Sequence, residues 1–210
     1  MKNQRILLVI GLGLLLMIAG YFVLNSNQTT SQQAQEETVS ESEVSSLSFS
    51  PPTTCDTPTP QQTEGPYYKT GSPERNSLIE ENSGGEPLIV TGYVFDENCQ
   101  PVAGAWLDFW QADENGQYDN VGYKLRGYQY TDSEGRYYLE TIVPARYSGR
   151  TAHIHVKIRG SDQGNTLTTQ LYFPDDGANQ QDSIFTEEAL LDIEQAADQK
   201  VGYYNFVIDL

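Results

Sequence analysis

The sequence predicts an all-β fold, an antiparallel β-sandwich with one short helix near its C-terminus. Stretches rich in β-branched and aromatic residues recur about every dozen residues, and Gly, Asn, Asp and Pro separate them. Only one late stretch has the residue spacing of a helix. Short strands separated by turns are typical of two packed sheets rather than of alternating strands and helices. The predicted domain covers residues 55–210, which is long enough to bury a core of its own.

The expected strands cover residues 88–95, 105–110, 137–143, 152–159, 167–173 and 203–210. An Asn-Gly pair at residues 115–116 predicts a tight turn directly before Tyr118. Residues 63–68 lack periodicity and are expected to form an ordered loop. The helix is expected to start at Thr186, with two glutamates in its first turn. Its apolar face would consist of Ala189, Leu190, Ile193 and Ala196.

The N-terminus has the composition of a membrane anchor. Lys2 and Arg5 precede an uncharged apolar run over residues 6–24. This run approaches the roughly 20 residues that span a bilayer as a helix. We therefore expect residues 1–24 to be an uncleaved signal anchor, and the positive-inside rule places the following chain on the extracytoplasmic side of the cell membrane. The alternative is a long cleaved signal peptide and a secreted domain.

Residues 25–54 are rich in Ser, Thr, Gln and Glu and are expected to form a solvated tether. The formal net charge of −17 argues against nucleic acid or an anionic membrane surface as a partner, because both require clustered Lys and Arg. The membrane is therefore expected to be contacted through the N-terminal helix alone.

Cys55 and Cys99 are the only cysteines in the chain. In an extracytoplasmic domain, two such thiols are expected to form a disulfide. One pair without Cys-x-x-Cys spacing does not make a zinc site.

The strand expected at residues 152–159 carries the only two histidines, His153 and His155. Strand side chains alternate between faces, so both imidazoles leave the face that carries Ile154, Val156 and Ile158. At a backbone spacing of roughly 7 Å, they can converge on one metal ion. A His-x-His pair alone is also compatible with two exposed strand histidines. The neighbouring residues have to decide between these interpretations.

A tyrosine precedes the histidines in the loop that leads into their strand, at Tyr147. A phenolate is a hard anionic oxygen, which suits Fe³⁺ better than Zn²⁺ or Cu⁺. The charge of the metal would lower the pKa of the phenol and make the phenolate available at neutral pH. The chain has 14 tyrosines, most of which are expected to serve packing.

The sequence resembles the intradiol ring-cleavage dioxygenases, the family of the protocatechuate and catechol dioxygenases. The matching segments occur in the order of the family. They are residues 63–68, 92–96, 101–105, 108–112, 116–118, 150–155 and 169–171. The resemblance implies a β-sandwich of the transthyretin or immunoglobulin kind, which agrees with the strand pattern.

The resemblance also implies a non-haem Fe(III) site. Its ligands would be Tyr118, Tyr147, His153 and His155. Tyr147 and His153 would be axial, and Tyr118 and His155 equatorial. Two tyrosinates, two neutral imidazoles and one hydroxide around Fe³⁺ have no net charge, which allows partial burial.

The implied reaction is cleavage of a catechol-type substrate by O₂ to a muconate-type dicarboxylic acid. Tyr147 would act as a general base for a catechol proton. Arg150 would stabilise negative charge on the ring, and Gln170 matches the active-site glutamine of the family. The sequence has no counterpart to the helical dimerisation segment of catechol-type members, so an oligomer is possible but not specified.

Two other interpretations are open. Residues 92–96 and 101–105 also resemble transthyretin-like and adhesin domains of bacterial surfaces, which bind ligands or act as spacers. A zinc or copper site formed by the histidines and a carboxylate is the second, and it leaves both tyrosines unexplained.

Overall fold

The computed structural model describes residues 57–81, 83–160, 164–196 and 199–209. These residues fall within one structural unit. The strands described in them are, in chain order, β1 (Pro87–Asp96), β2 (Trp106–Gln111), β3 (Arg126–Tyr130), β4 (Arg136–Ile142), β5 (His153–Arg159), β6 (Thr166–Tyr172), β7 (Asp192–Ala196), β8 (Gln199–Tyr203) and β9 (Phe206–Ile208).

The strands form two sheets. One has the order β3-β2-β5-β6, and all of its pairs are antiparallel. The other has the order β4-β1-β8-β7, and β9 also pairs with β1. In this second sheet β1 pairs in parallel with β8 and β9, so the prediction of a purely antiparallel sandwich is wrong there. Because the chain passes through the other sheet between β1 and β8, these strands are joined by a long crossover, which permits parallel pairing.

The inner faces of the two sheets share one hydrophobic core. Phe109 of β2 lies 5.9 Å from Tyr137 of β4, measured between ring centroids. The same core contains Ile154, Val156 and Ile158 of β5, as their alternation predicts. The predicted all-β, two-sheet fold is confirmed.

The predicted late helix is wrong. A single 3-10 turn covers Glu187–Ala189, and the chain then extends into β7. The amide of Leu191 donates a hydrogen bond to the carbonyl of Tyr172 at 2.9 Å, and β7 pairs with β8. A short apolar run fits either element, and here the pairing of neighbouring strands decides the outcome. The prediction also omitted β3 and β8, and it joined Tyr203 of β8 to β9.

The predicted anchor at residues 1–24 and the tether at 25–54 lie outside the described residues. Among the residues that are described, no helix is long and apolar enough to cross a membrane. Cys99 is disulfide-bonded, while its predicted partner Cys55 also lies outside the described ranges.

Candidate metal centre

The candidate site lies on the outer face of the antiparallel sheet. The register places Trp110 of β2 opposite His155 of β5, and His155 opposite Gln170 of β6. One residue pair further along, His153 lies opposite Tyr172. Cross-strand neighbours on one face stand about 5 Å apart, so this register brings the histidines and Gln170 together.

The two imidazoles face each other. Their Nε2 atoms are 3.1 Å apart, and the side chains are 4% and 3% exposed for His153 and His155. The Nδ1 of His153 donates a hydrogen bond to the carbonyl of Thr151 at 2.7 Å, which leaves a lone pair on Nε2. Burial lowers the pKa of His153 to about 4 and the pKa of His155 well below its ordinary value. Both rings are therefore neutral at pH 7, the form that binds metals.

Tyr118 joins the histidines. Its hydroxyl oxygen lies 3.4 Å from Nε2 of His153. The predicted turn before it is present, with a hydrogen bond from the amide of Gly116 to the carbonyl of Asp113 at 3.0 Å. Gly116 has a φ of +74°, and a Cβ there would overlap the carbonyl oxygen of Arg146. The turn thus needs glycine both for its backbone conformation and for its close contact with the loop that carries Tyr147.

Tyr147 packs against the same group of rings. Its ring lies edge-on to Tyr118 at 5.4 Å and edge-on to Tyr67 at 5.0 Å, between centroids. Its hydroxyl donates a 2.7 Å hydrogen bond to the hydroxyl of Tyr67, which stacks on Tyr118 at 4.5 Å. The sequence motif at residues 63–68 identified the loop but not this role of Tyr67.

Residues 63–68 were predicted to form an ordered loop, and in the structure this loop covers the site. Gln170 donates a hydrogen bond to the carbonyl of Thr63 at 3.0 Å. Gly65 lies next to the imidazole of His155: a Cβ placed on Gly65 would be 3.5 Å from Cε1 of that ring. Lys157 forms an ion pair with Glu64. These contacts reduce the access of water to the imidazole pair.

Trp110 forms one wall of the site. Its indole stacks on the ring of His155 at 4.7 Å with an interplanar angle of 5°. Tyr68 also packs against Trp110, at 4.8 Å between centroids, and its hydroxyl donates a hydrogen bond to the buried carboxylate of Asp108 at 3.0 Å. The aromatic layer fixes the plane of the imidazole.

Arg150 lies at the edge of the imidazole pair. Its Nε donates to Asp182 at 2.6 Å, and one terminal nitrogen donates to the side-chain oxygen of Gln170 at 2.6 Å. The two residues predicted to act beside the metal are therefore in direct contact with each other.

A second arginine was not predicted. Arg126 of β3 is 1% exposed, and its guanidinium carbon lies 6.0 Å from the ring centroid of Tyr118. Its Nε donates to the carbonyl of Asp119 at 3.1 Å, whereas its terminal nitrogens have no hydrogen-bond partner among the described residues. Burial lowers the pKa of this guanidinium. The Leu-Arg-Gly segment reaches the site through the pairing of β3 with β2, which the sequence alone does not show.

The donor set fits a hard cation. Tyr118 and His155 each lie within hydrogen-bond distance of His153, and Tyr147 packs on Tyr118. Across the described ranges, no group of three or more His, Cys, Asp or Glu side chains is placed to hold a metal ion. The oxygen donors beside the imidazoles are thus phenolic rather than carboxylic, which favours Fe³⁺ over Zn²⁺.

Comparison with known proteins shows which family the chain belongs to. A family profile described as Dioxygenase matches residues 63–209. The chain belongs to the intradiol ring-cleavage dioxygenase family. The dioxygenase domain of a carbohydrate-binding fusion protein from the cellulolytic bacterium Streptomyces sp. SirexAA-E is 47% identical, with a TM-score of 0.71. That match covers 73% of this chain and 99% of the Streptomyces domain.

Two other intradiol dioxygenases are similar in sequence. Hydroxyquinol 1,2-dioxygenase of Rhizobium sp. (strain MTP-10005) is 30% identical over 67% of this chain and 58% of that enzyme. The protocatechuate 3,4-dioxygenase beta chain of Burkholderia cepacia is 36% identical over 51% of this chain and 54% of its own length. The chain therefore spans a little over half of the length of these two relatives.

Proposed function

We propose that this protein is a non-haem Fe(III) intradiol dioxygenase. It cleaves a catechol-type ring between the two hydroxyl-bearing carbons and incorporates both atoms of O₂, which gives a cis,cis-muconate-type dicarboxylic acid. The observation that carries the proposal is the pair of buried, neutral imidazoles with Nε2 atoms 3.1 Å apart and the hydroxyl of Tyr118 3.4 Å from one of them. Family membership supports the same reaction class.

Tyr118, Tyr147, His153 and His155 would hold the metal. When bound, ferric iron would supply Lewis acidity and a template for both catechol oxygens. The phenolate form of Tyr147, which a bound metal would make available, would accept a catechol proton at its oxygen as a general base. Tyr67 contributes a hydroxyl 2.7 Å from this oxygen and so stabilises it while it changes protonation state.

Arg150 provides a fixed positive charge where negative charge develops on the substrate ring. The side-chain oxygen of Gln170 accepts a hydrogen bond from the Arg150 guanidinium, and its side-chain nitrogen donates one to the loop at residues 63–68. Gln170 therefore links the charged guanidinium to the loop that covers the site. The loop at residues 63–68 limits the entry of water, which strengthens these interactions.

The substrate class we propose is a catechol-type vicinal diol. Two of the relatives named above are a hydroxyquinol and a protocatechuate dioxygenase, and a vicinal diol on a benzene ring is the feature that these two substrates share. We also propose that the protein acts outside the cytoplasm, either anchored through residues 6–24 or secreted after cleavage.

The test is to load the full-length protein with iron and record its absorption spectrum. We expect a red-brown protein with tyrosinate-to-iron charge transfer and one iron per chain, with a spectrum that shifts on addition of catechol. Tyr147→Phe should retain iron and bind catechol more slowly. Tyr130→Phe is the matched control, because Tyr130 is 51% exposed and belongs to β3.

A colourless protein that contains stoichiometric zinc would refute the ferric site. A Tyr147→Phe variant with the catechol turnover of the wild type would refute the role of that tyrosine. A wild-type protein that binds no metal would favour the non-catalytic, transthyretin-like surface module.

A further inference from the structure

The segment that leads into β5 is held by a buried carboxylate, Asp182. One oxygen of this carboxylate accepts hydrogen bonds from Nε of Arg150 at 2.6 Å and from the amide of Thr151 at 3.1 Å. The other oxygen accepts from the amide of Ile184 at 3.1 Å. The side chain of Asp182 is 1% exposed. A charge-assisted hydrogen bond in such a buried setting is short and directional.

Asp182 restrains the guanidinium of Arg150 together with Gln170. Gln170 accepts a hydrogen bond from the terminal nitrogen Nη2 at 2.6 Å. Within the described residues, the other terminal nitrogen, Nη1, has no hydrogen-bond partner, and the side chain is 22% exposed. Two of the three nitrogen atoms are therefore fixed by protein, and Nη1 is the donor left for a bound molecule.

The same carboxylate also fixes the backbone beside the imidazoles. Thr151 donates its amide to Asp182, and its carbonyl accepts the Nδ1 hydrogen of His153 at 2.7 Å. Asp182 thus connects the orientation of the guanidinium to that of the first histidine through a single residue, Thr151. A flexible arginine loses rotamer freedom when it is ordered, and this network supplies that order before a substrate arrives.

We propose that Asp182 is a positioning residue for ring cleavage: it holds Arg150 so that Nη1 faces the catechol position beside the imidazole pair. This inference rests on the function proposed above. Gln170 acts with Asp182 from the opposite side of the guanidinium.

Asp176 is a matched control in the same loop. Its carboxylate accepts a hydrogen bond from the amide of Ala152 at 2.8 Å and pairs with Arg146 at 2.5 Å. Its side chain is 7% exposed, and none of the hydrogen bonds and ion pairs that Arg150 forms with described residues involves it. A purely structural role of the loop predicts similar effects for Asp182→Asn and Asp176→Asn, whereas the positioning role predicts different ones.

The first experiment compares Asp182→Asn, Asp182→Glu and Asp176→Asn in the full-length, iron-loaded protein. We expect Asp182→Asn to keep the iron content and resting spectrum and to lower kcat for catechol about 10- to 100-fold, the range seen when outer-sphere partners are lost. KM should change less than kcat. Asp182→Glu should restore part of kcat, and Asp176→Asn should stay within about threefold of the wild type by the same reasoning. Equal kcat losses in the two asparagine variants would overturn the proposal.

The second experiment does not depend on turnover. In the metal-free full-length protein, the Nε hydrogen of Arg150 is followed by NMR and assigned by its disappearance in Arg150→Lys. We expect hydrogen exchange at this site to accelerate at least about tenfold in Asp182→Asn and to stay unchanged in Asp176→Asn, because only the first variant weakens a charge-assisted bond to this atom. Unchanged exchange in Asp182→Asn overturns the positioning role even if ring cleavage is observed. If the wild-type protein shows no ring cleavage but the variants show this exchange pattern, the proposed function is refuted and the restraint of Arg150 by Asp182 is not.

Discussion

Replacement of Trp110 by Leu tests whether the indole holds the plane of a metal-binding imidazole. Trp110 is 1% exposed and stacks on His155 at 4.7 Å with an interplanar angle of 5°. Its Nε1 has no hydrogen-bond partner in the described part of the chain, so the substitution leaves no protein acceptor unsatisfied. The cost therefore comes from lost packing and lost ring stacking.

The magnitude follows from these two contributions. Truncation of a buried Trp or Phe to Ala costs about 3–5 kcal/mol, and Leu retains part of the volume, so we expect about 2–3 kcal/mol for Trp110→Leu. The stacked contact with His155 accounts for about 0.5–1.5 kcal/mol of this. If that contact pre-orders the imidazole for binding, the dissociation constant for Fe³⁺ should rise about two- to tenfold.

The assay combines urea denaturation of the metal-free protein with competitive chelation of the iron-loaded protein. Phe109→Leu is the control, because Phe109 is 0% exposed, lies next to Trp110 and faces the opposite side of the sheet, in the core. The control should lower the free energy of unfolding and leave iron affinity unchanged. Wild-type iron affinity in Trp110→Leu, or equal affinity losses in both variants, would refute the role of the indole.

Two further predictions concern pH and the turn before Tyr118. The metal-free protein should lose stability as pH falls from 6.5 towards 4. Burial lowers the pKa of His153 to about 4 and the pKa of His155 well below its ordinary value. In this pH range the unfolded chain therefore takes up protons that the folded protein does not bind. The slope should reach about 1.4 kcal/mol per pH unit for each histidine, and it is opposed at the acidic end by Asp108, whose pKa is raised by burial. Urea denaturation at several pH values measures this slope. The His155→Asn variant should have a shallower slope than the wild type. A wild-type free energy of unfolding that does not change over this pH range would contradict the prediction. Gly116→Ala should cost about 1–3 kcal/mol and reduce iron content, because it adds a clash with the carbonyl of Arg146 to an unfavourable φ. Gly149→Ala, with a φ of +79° and no atom within 4 Å of the added Cβ, is the control; equal effects would show that the clash with Arg146 is unimportant.

The strands that build the site were predictable because their patterns are local. The alternation of β5 places Ile154 and Val156 in the core and both histidines on the other face, and the structure has this arrangement. The Asn-Gly turn before Tyr118 was predictable for the same reason. Each of these features depends only on residues within a few positions of one another.

Features that depend on sheet pairing were not predictable in this way. Ile193 and Ala196 have a spacing that suits one helical face, yet they lie in β7 because the neighbouring strand β8 offers backbone partners. Arg126 reaches Tyr118 only through the pairing of β3 with β2. The hydrogen bond that restrains Arg150 joins it to Asp182, 32 positions away, and no local sequence pattern identifies Asp182.

The partial burial of Tyr118 makes metal binding at the proposed site dependent on pH. Burial raises the pKa of Tyr118 well above its ordinary value, although Arg150 and Arg126 act in the opposite direction. The phenol therefore keeps its proton until a cation is bound nearby. Since each phenol must lose a proton to become a ligand, metal uptake by the proposed site should release protons and become stronger as pH rises. The two buried imidazoles are already neutral at pH 7, so proton release under those conditions would come from the tyrosines, which distinguishes a ferric tyrosinate site from one built on histidines alone.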